Sequence, residues 1–393
     1  MDSFTSFSEW PREITGDLAW TSADFEPNTI AFTDHLSSQD ITELNFAVTH
    51  FQGKSQVFLR HPTSFTNASL IGLGLACGHA DPTTFPLSQG LANRLRKVTD
   101  HVYNGRGFHR IRGINPSAYT DEERVILYAG ITSYVADQRA RNIDHIRDRS
   151  GAQLSRKLSP LELAKPMTFH TDIDVGDMVS LFVQSIPLEG GDQYLAPIAS
   201  IYNDLMKRDP EVLRILAENW YWERVHRPGP DQTVIRNFNR PVLGFHNNQL
   251  QINMAVTFLG ANPAIPFSPD APQLTPERIT ALNRVQEAAT RVNLRIVPQA
   301  GDLLFINNFA VLHARSGFVD SPDDVWNQRY IMRLWLHDSH KGWESAPVLQ
   351  RKLDETFDLS PAEKAYWTKD EMDKVAPGMR IKQMGISSSP DHD

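Results

Sequence analysis

The second half of the chain, from residue 168 onward, alternates short apolar segments with turn residues, and this pattern most constrains the fold. The predicted strands are 178–186, 233–238, 242–246, 249–257, 293–298, 302–307 and 329–336. Turn residues such as Gly190-Gly191 and Gly301-Asp302 separate them. Because the regular strand–helix alternation of a parallel sheet is absent, we predict a mainly β fold of the α+β type, an antiparallel sandwich or jelly roll with peripheral helices.

Helices are predicted before this β-rich region and within it. They cover residues 38–50, 86–103, 120–141, 198–217 and 275–291. Thr120 followed by three acidic residues is typical of a capped helix start, and Pro276 after Thr275 is favourable in a first turn. The segment from Gly105 to Gly113 indicates a turn that enters a strand, because it lacks the spacing of a phosphate-binding loop.

The composition of the 393-residue chain excludes several functional classes. Acidic residues outnumber basic ones by 47 to 39, so a nucleic-acid partner is not expected. The only cysteine, Cys77, cannot form an intramolecular disulfide and is given no role. Neither a signal peptide nor an apolar segment of membrane-spanning length is evident. We therefore expect a cytoplasmic protein without a membrane partner, and the sequence leaves homo-oligomerisation open.

Three residues that could bind one metal ion are widely separated in the sequence. His170 and Asp172 precede the predicted strand 178–186, and residues two apart on a strand point to the same face. His313 follows the predicted strand 302–307 and a polar turn, and it can provide the third ligand. Two imidazoles and one carboxylate leave coordination positions open, and this donor set suits non-haem Fe(II).

Other residues compete for these ligand roles. The same His-x-Asp spacing occurs at His79 and Asp81, but Pro82 and neighbouring glycines favour a loop there. Asp174 lies one further step along the strand from Asp172 and is a rival carboxylate. The competitors for the third ligand are His226, His246 and His337. The strand context favours the first set over these alternatives.

Two arginines indicate an anion-binding function near the candidate metal site. Arg329 and Arg333 lie four positions apart on the predicted strand 329–336, so their side chains share one face. The apolar residues around them indicate burial, and buried guanidiniums need anions to pair with them. Arginine is suited to bidentate binding of carboxylates. We therefore predict that both bind anions, with an exposed edge strand as the alternative.

Together these motifs resemble the TauD/TfdA family of Fe(II)- and 2-oxoglutarate-dependent dioxygenases. The resemblance spans about residues 165–336 and comprises His170-Thr171-Asp172, Gly190-Gly191-Asp192, Gly301-Asp302, His313 and Arg329-x-x-x-Arg333. It implies a double-stranded β-helix, or jelly-roll, core. It also implies that His170, Asp172 and His313 are the catalytic residues and bind Fe(II).

The resemblance implies further roles at the co-substrate and substrate sites. Arg329 would pair with the distal carboxylate of 2-oxoglutarate, and Arg333 would lie nearer the substrate and bind its anionic group. The family commonly has Thr or Ser after the Gly-Gly-Asp turn to assist 2-oxoglutarate binding. This chain has Gln193 instead, whose amide can still donate a hydrogen bond.

The implied activity is oxidation of a C–H bond in a small anionic substrate such as an amino acid, a carboxylate or a sulfonate. 2-Oxoglutarate and O2 would be consumed, and succinate and CO2 released. Because Asp172 occupies the position that halogenases leave for halide, the expected outcomes are hydroxylation, desaturation or oxidative cyclisation. The overall pattern is similar to fungal family members of specialised metabolism. The alternatives are a non-catalytic jelly-roll binding protein and a Zn or Mn hydrolase that uses the same ligands.

One catalytic domain is predicted over residues 1–384, because the two parts of the site lie far apart in sequence and must meet in one fold. Within this domain, residues 1–35 are expected to form an extended N-terminal arm. A helical insertion is expected near 120–160, where it would shape the substrate pocket. Residues 385–393 are expected to be a disordered tail.

Overall fold

The computed structural model describes residues 4–25, 32–59, 77–151, 160–229, 232–260 and 267–358, and the predicted tail at 385–393 lies outside these ranges. The helices are α1 (Ser38–Leu59), α2 (Gln89–Tyr103), α3 (Asp121–Val135), α4 (Ile198–Arg208), α5 (Pro210–Leu216), α6 (Pro276–Val292) and α7 (Pro347–Phe357). The strands are β1 (Thr33–His35), β2 (Phe108–Arg112), β3 (Gln138–Arg139), β4 (Asp144–Arg147), β5 (Met167–His170), β6 (Met178–Ser185), β7 (Glu189–Gly190), β8 (Gln193–Pro197), β9 (Trp220–Gly229), β10 (Gln232–Arg240), β11 (Leu243–His246), β12 (Gln249–Ile252), β13 (Leu294–Ile296), β14 (Leu303–Asn307), β15 (Val311–Arg315), β16 (Phe318–Val319) and β17 (Tyr330–His337).

Two sheets form the core of the fold. The larger sheet has the order β1-β2-β14-β6-β17-β3, with β4 also paired to β17. The smaller sheet has the order β13-β8-β15-β5 and is antiparallel throughout. The predicted mainly β fold with peripheral helices is confirmed, and most of the predicted strands are present with small shifts at their ends.

Side-chain alternation along β15 and β17 places apolar side chains that pack on helices on one face and His313, Arg315 and Arg333 on the other. On β15, Leu312 and Ala314 belong to an apolar cluster that also contains residues of α4 and α6. On β17, Met332 and Leu334 belong to a second cluster, which they share with α2 and α3. Burial of Leu312, Met332 and Leu334 contributes about 1.5–3 kcal/mol for each side chain. The intervening residues of both strands, including His313, are left to face the space between the sheets.

The predicted helices are present, with one interruption. The predicted helix 198–217 is divided into α4 and α5 at Asp209-Pro210, because proline has no N–H to continue the helical hydrogen bonding. Thr275 caps α6 as the sequence indicates, since its hydroxyl accepts from the backbone N–H of Arg278 at 3.4 Å. No helix in the described ranges is long and apolar enough to cross a membrane.

The expected helical insertion near 120–160 is helical only in its first part. The predicted helix 120–141 is wrong beyond Val135, where α3 ends. The chain then forms β3 and β4, both of which pair with β17. These strands satisfy backbone groups along an edge of β17 that would otherwise lack partners. The chain after α3 therefore extends the larger sheet beside β17.

One turn glycine fixes the start of β14. Gly301 has φ +90°, and a Cβ at this position would lie 1.8 Å from the carbonyl oxygen of Ile114. Both the backbone conformation and the close approach therefore require glycine. The turn brings β14 next to β6, and β14 leads into the segment that carries His313.

Candidate functional site

The three predicted metal ligands meet between the two sheets. His170 ends β5, and His313 lies on β15 as its direct cross-strand partner. Their ring centroids are 4.3 Å apart. Oδ1 of Asp172 lies 3.6 Å from Nε2 of His313. One ligand atom from each residue lies within 4.8 Å of the other two, so the three side chains could hold one ion.

Asp172 reaches the site from a loop, because β5 already ends at His170, so the expectation of one shared strand face is wrong. Asn308 holds this loop in place. Its Oδ1 accepts from the backbone N–H of Asp172 at 2.9 Å. Its Nδ2 donates to the carbonyl oxygens of Asp172 and Gly176, both at 2.8 Å. Sequence reasoning missed Asn308, whose only signal was its place in the polar turn before His313.

His170 presents a neutral imidazole to the site. Its Nδ1 lies 2.8 Å from the carbonyl oxygen of Thr168. Because a carbonyl can only accept, Nδ1 carries the proton and Nε2 keeps its lone pair. Burial, together with the nearby His313, lowers the pKa of His170 to about 3. Metal binding requires this neutral form.

Asp172 is buried and ionised. Nε1 of Trp335 donates to its Oδ2 at 2.7 Å, and Nη1 of Arg333 lies 3.3 Å from Oδ1 and 3.2 Å from Oδ2. Burial alone raises the pKa of this carboxyl, but Arg333, together with His313 and His170, holds it well below its usual range. An anionic carboxylate beside the neutral imidazole of His170 and the ring of His313 is a donor set suited to a divalent ion.

Arg329 is a buried cation with unused hydrogen-bond donors. Among the described residues, its Nε and Nη1 are buried and have no hydrogen-bond partner. Burial and the nearby Arg315 lower the pKa of Arg329 well below its ordinary value, an effect that Asp320 opposes. A buried guanidinium with unused hydrogen-bond donors is strongly stabilised by an anionic ligand.

Arg315, which sequence reasoning did not select, lies in the same part of the site. Its guanidinium is 4.8 Å from the ring centroid of Phe318, and that of Arg329 is 5.3 Å from the same ring. Arg315 also donates to the carbonyl oxygens of Leu163 and Lys165, which precede β5. The His-x-Arg spacing on β15 was the available signal, because it places Arg315 on the same face as His313.

Gln193 faces the same space as the metal ligands. It is buried on β8, directly opposite Arg315 on β15. Opposite residues of an antiparallel pair share a face, and Arg315 shares its face with His313. Gln193 therefore lies opposite Arg315 on the face that carries His313, and its role in co-substrate binding stays a prediction.

Arg333 is engaged by carboxylates of the protein itself. Besides its contacts with Asp172, its Nη2 donates to Oδ2 of Asp144 at 2.8 Å. Its side chain is only 3% exposed. The expected binding of a substrate anion by Arg333 stays a prediction, and these two internal carboxylates compete with it.

The rival metal ligands lie elsewhere. Asp174 forms an ion pair with a buried arginine at 2.6 Å, and His337 pairs with a buried aspartate at 3.0 Å. Asp81 accepts hydrogen bonds within its own turn. In the ranges that the structure describes, no cluster of three metal-ligating side chains includes His79, Asp81, Asp174, His246 or His337. The side chain of His226 lies outside the described residues.

Comparisons with known proteins identify relatives of this chain. Residues 72–335 match the model of the family described as taurine catabolism dioxygenase TauD, TfdA family. The chain is 29% identical over 378 residues to the taurine hydroxylase-like protein SAT17 of Stachybotrys chartarum, covering 92% of this chain and 90% of that protein. It is 22% identical over 276 residues to FR-33289 synthase of Streptomyces rubellomurinus, covering 67% of this chain and 78% of that one.

Solved structures share the fold. An asparagine oxygenase in complex with Fe(II), 2S,3S-3-hydroxyasparagine and succinate superposes with a TM-score of 0.54 at 12% identity, over 78% of this chain and 93% of that one. The non-haem iron oxygenase OrfP in complex with Fe and alpha-ketoglutaric acid superposes with a TM-score of 0.51 at 14% identity, over 77% and 93%. The family match covers more than half of the chain. The chain therefore belongs to the TauD/TfdA family, and it is a non-haem iron dioxygenase that uses Fe(II) and 2-oxoglutarate.

Proposed function

We propose that His170, Asp172 and His313 bind the catalytic Fe(II). The observation that carries this proposal is the convergence of their ligand atoms within 4.8 Å in a buried site. Two imidazoles and one ionised carboxylate match the donor preference of non-haem Fe(II) and leave positions for further ligands. Bound there with 2-oxoglutarate and O2, Fe(II) supplies the oxidising chemistry. The protein orients His170 and the Asp172 loop by hydrogen bonds and keeps the imidazole of His170 neutral.

Arg329 and Gln193 are proposed to bind the distal carboxylate of 2-oxoglutarate. This role would provide an anion for the buried Nε and Nη1 of Arg329, which lack a partner among the described residues. Charge-assisted bonds from a guanidinium to a carboxylate are among the stronger ones in proteins. Gln193 would add an amide donor from β8, in place of the hydroxyl that the family commonly has.

The prime substrate is proposed to be a small anionic molecule, such as an amino acid, a carboxylate or a sulfonate. Structures of the neighbouring oxygenases contain 3-hydroxyasparagine and (3S)-hydroxy-L-Arg, and one relative is described as taurine hydroxylase-like. Because Asp172 fills a ligand position, the proposed outcomes are hydroxylation, desaturation or oxidative cyclisation.

The single cysteine supports the proposal of a cytosolic location.

A succinate-release screen tests this function. Protein supplied with Fe(II), 2-oxoglutarate and O2 is incubated with panels of amino acids, sulfonates and aryloxy acids, and succinate is measured against a substrate-free control. At least one compound should stimulate succinate formation in the wild type, and Asp172→Ala should abolish that stimulation. Equal succinate formation in both proteins would contradict the assignment of Asp172. The family membership does not support a non-catalytic binding protein or a Zn or Mn hydrolase.

A further inference from the structure

A chain of buried charges links the insertion after α3 to the candidate metal ligand Asp172. Arg333 lies between two carboxylates, with Nη2 2.8 Å from Oδ2 of Asp144 and Nη1 3.2 Å from Oδ2 of Asp172. Trp335 adds a donor from the same face of β17, with Nε1 2.7 Å from Oδ2 of Asp172. Charged side chains are buried together only when they are paired, so these contacts fix one another.

The strand register sets this arrangement. Asp144 on β4 is the direct cross-strand partner of Arg333 on β17. Opposite residues of an antiparallel pair place their side chains on the same face at close range. The insertion therefore delivers Asp144 to Arg333 through backbone pairing and holds it there without a flexible loop.

The hydrogen bonds distinguish the two oxygens of Asp172. Nη1 of Arg333 lies at nearly equal distances from both, 3.3 Å from Oδ1 and 3.2 Å from Oδ2, so the difference comes from Trp335, whose Nε1 donates to Oδ2 at 2.7 Å. Oδ1 instead lies 3.6 Å from Nε2 of His313. An oxygen that accepts this additional, shorter hydrogen bond is a poorer metal ligand than its neighbour. The contacts therefore direct Oδ1 towards the metal and favour binding through that single oxygen.

Asp144 also has an electrostatic consequence. A guanidinium this close to a metal site repels a divalent cation, and the repulsion is strong where water is excluded. Asp144 offsets the charge of Arg333, so that Arg333 can orient Asp172 without opposing the ion. Burial raises the pKa of Asp144, and the adjacent Arg333 opposes this effect.

We propose that Arg333, held by Asp144, is a positioning residue for the metal ligand Asp172 and is not a binding site for a substrate anion. The inference rests on the proposed function, since it takes Asp172 as a ligand. Trp335 completes the arrangement by occupying Oδ2. An anionic group of the substrate must then be recognised elsewhere in the pocket.

Metal titration in the absence of substrate tests the proposal. Full-length metal-free protein is titrated with Co(II), and both the affinity and the d–d absorption spectrum are recorded. Asp144→Asn and Arg333→Met should each weaken Co(II) binding by about 10- to 100-fold, the range typical of residues that orient metal ligands. Arg333→Lys should recover part of the loss, because a lysine keeps the charge but cannot bridge both carboxylates. Trp335→Phe frees Oδ2 and should change the spectrum.

Two matched variants control for general effects on the sheet and on buried indoles. Arg147→Met removes a guanidinium of β4 that stacks on Tyr330, 3.9 Å from the ring centroid. Trp343→Phe removes an indole donor to the backbone carbonyl of Tyr103 at 2.9 Å. Both should bind Co(II) as the wild type does.

The outcomes separate the inference from the proposed function. If wild-type protein binds no Co(II), the proposed metal site fails and the inference fails with it. If the wild type binds one Co(II) but folded Asp144→Asn and Trp335→Phe match it in affinity and spectrum, the inference alone is overturned. These two conservative variants decide the question even if Arg333→Met does not fold, and circular dichroism establishes which proteins are folded.

Discussion

Replacing Arg329 with methionine should separate binding of 2-oxoglutarate from folding. Methionine keeps much of the side-chain length and removes the charge and all donors. In the wild type, the buried Nε and Nη1 of Arg329 have no hydrogen-bond partner among the described residues, so both are available to the distal carboxylate. Losing one partner of a buried charge pair costs about 2–5 kcal/mol. We therefore expect the Kd for 2-oxoglutarate to rise by at least about 30-fold, since every 1.4 kcal/mol is tenfold.

Stability without 2-oxoglutarate should respond differently. Arg329→Met removes a buried guanidinium whose unpaired donors cost about 1–3 kcal/mol in desolvation. It also removes the contact with the ring of Phe318, which contributes about 0.5–2 kcal/mol. The two effects nearly cancel, so the free energy of unfolding should stay the same or rise slightly. A structural arginine would instead give a clear loss of stability.

The assay is an anaerobic titration of the Fe(II)-loaded protein, followed by the absorption band that Fe(II) and a 2-oxo acid give together. The ligand-side control is 2-oxopentanoate, which has the same chain length but lacks the distal carboxylate. Its affinity should be similar for wild type and Arg329→Met. The reasoning is refuted if the variant binds 2-oxoglutarate as tightly as the wild type, or if it loses affinity for both ligands equally.

Three further predictions concern the ligands and their surroundings. His170→Ala should abolish substrate-stimulated succinate formation while the circular dichroism spectrum stays native, and full activity would contradict its role. Asn308→Ala leaves buried backbone groups of the Asp172 loop without partners. The free energy of unfolding in urea should therefore fall by about 2–4 kcal/mol, and Co(II) should bind more weakly. Unchanged values for both would contradict the role of this side chain. Burial lowers the pKa of His109 to about 4. Between pH 6.5 and 4 the unfolded chain therefore binds more protons than the folded chain, and the free energy of unfolding falls as the pH falls through this window. Between pH 7.5 and pH 5, wild type should lose about 2 kcal/mol more stability than His109→Gln in urea unfolding, and parallel losses would disprove this assignment.

The sequence predicted those parts of the fold that depend on local patterns. Alternating apolar residues and turn glycines identified β2, β6, β13, β14 and β17 of the two sheets, and the capping residues Thr120 and Thr275 identified the starts of α3 and α6. The end of α3 was predicted incorrectly, because pairing with β17 over β3 and β4 is a long-range effect. Local propensity contains no information about such an edge.

The candidate site was predictable to a similar degree. The ligand types and their spacing identified His170, Asp172 and His313, which the structure brings together. The surroundings of Arg333 were not predictable, because its partner Asp144 lies on a strand whose register the sequence does not specify. Asn308 has the sequence appearance of an ordinary turn residue, and only the packed structure reveals its contacts with the Asp172 loop.

The most direct test of the metal and co-substrate assignment is an anaerobic absorption spectrum of the protein with one equivalent of Fe(II) and excess 2-oxoglutarate. Wild-type protein should give the charge-transfer band of 2-oxoglutarate chelated to Fe(II), with one iron bound per chain. Asp172→Ala should lose or shift this band, while Arg147→Met should retain it. Absence of the band in folded wild-type protein, or an unchanged band and iron affinity in Asp172→Ala, would contradict the assignment of Fe(II) to His170, Asp172 and His313.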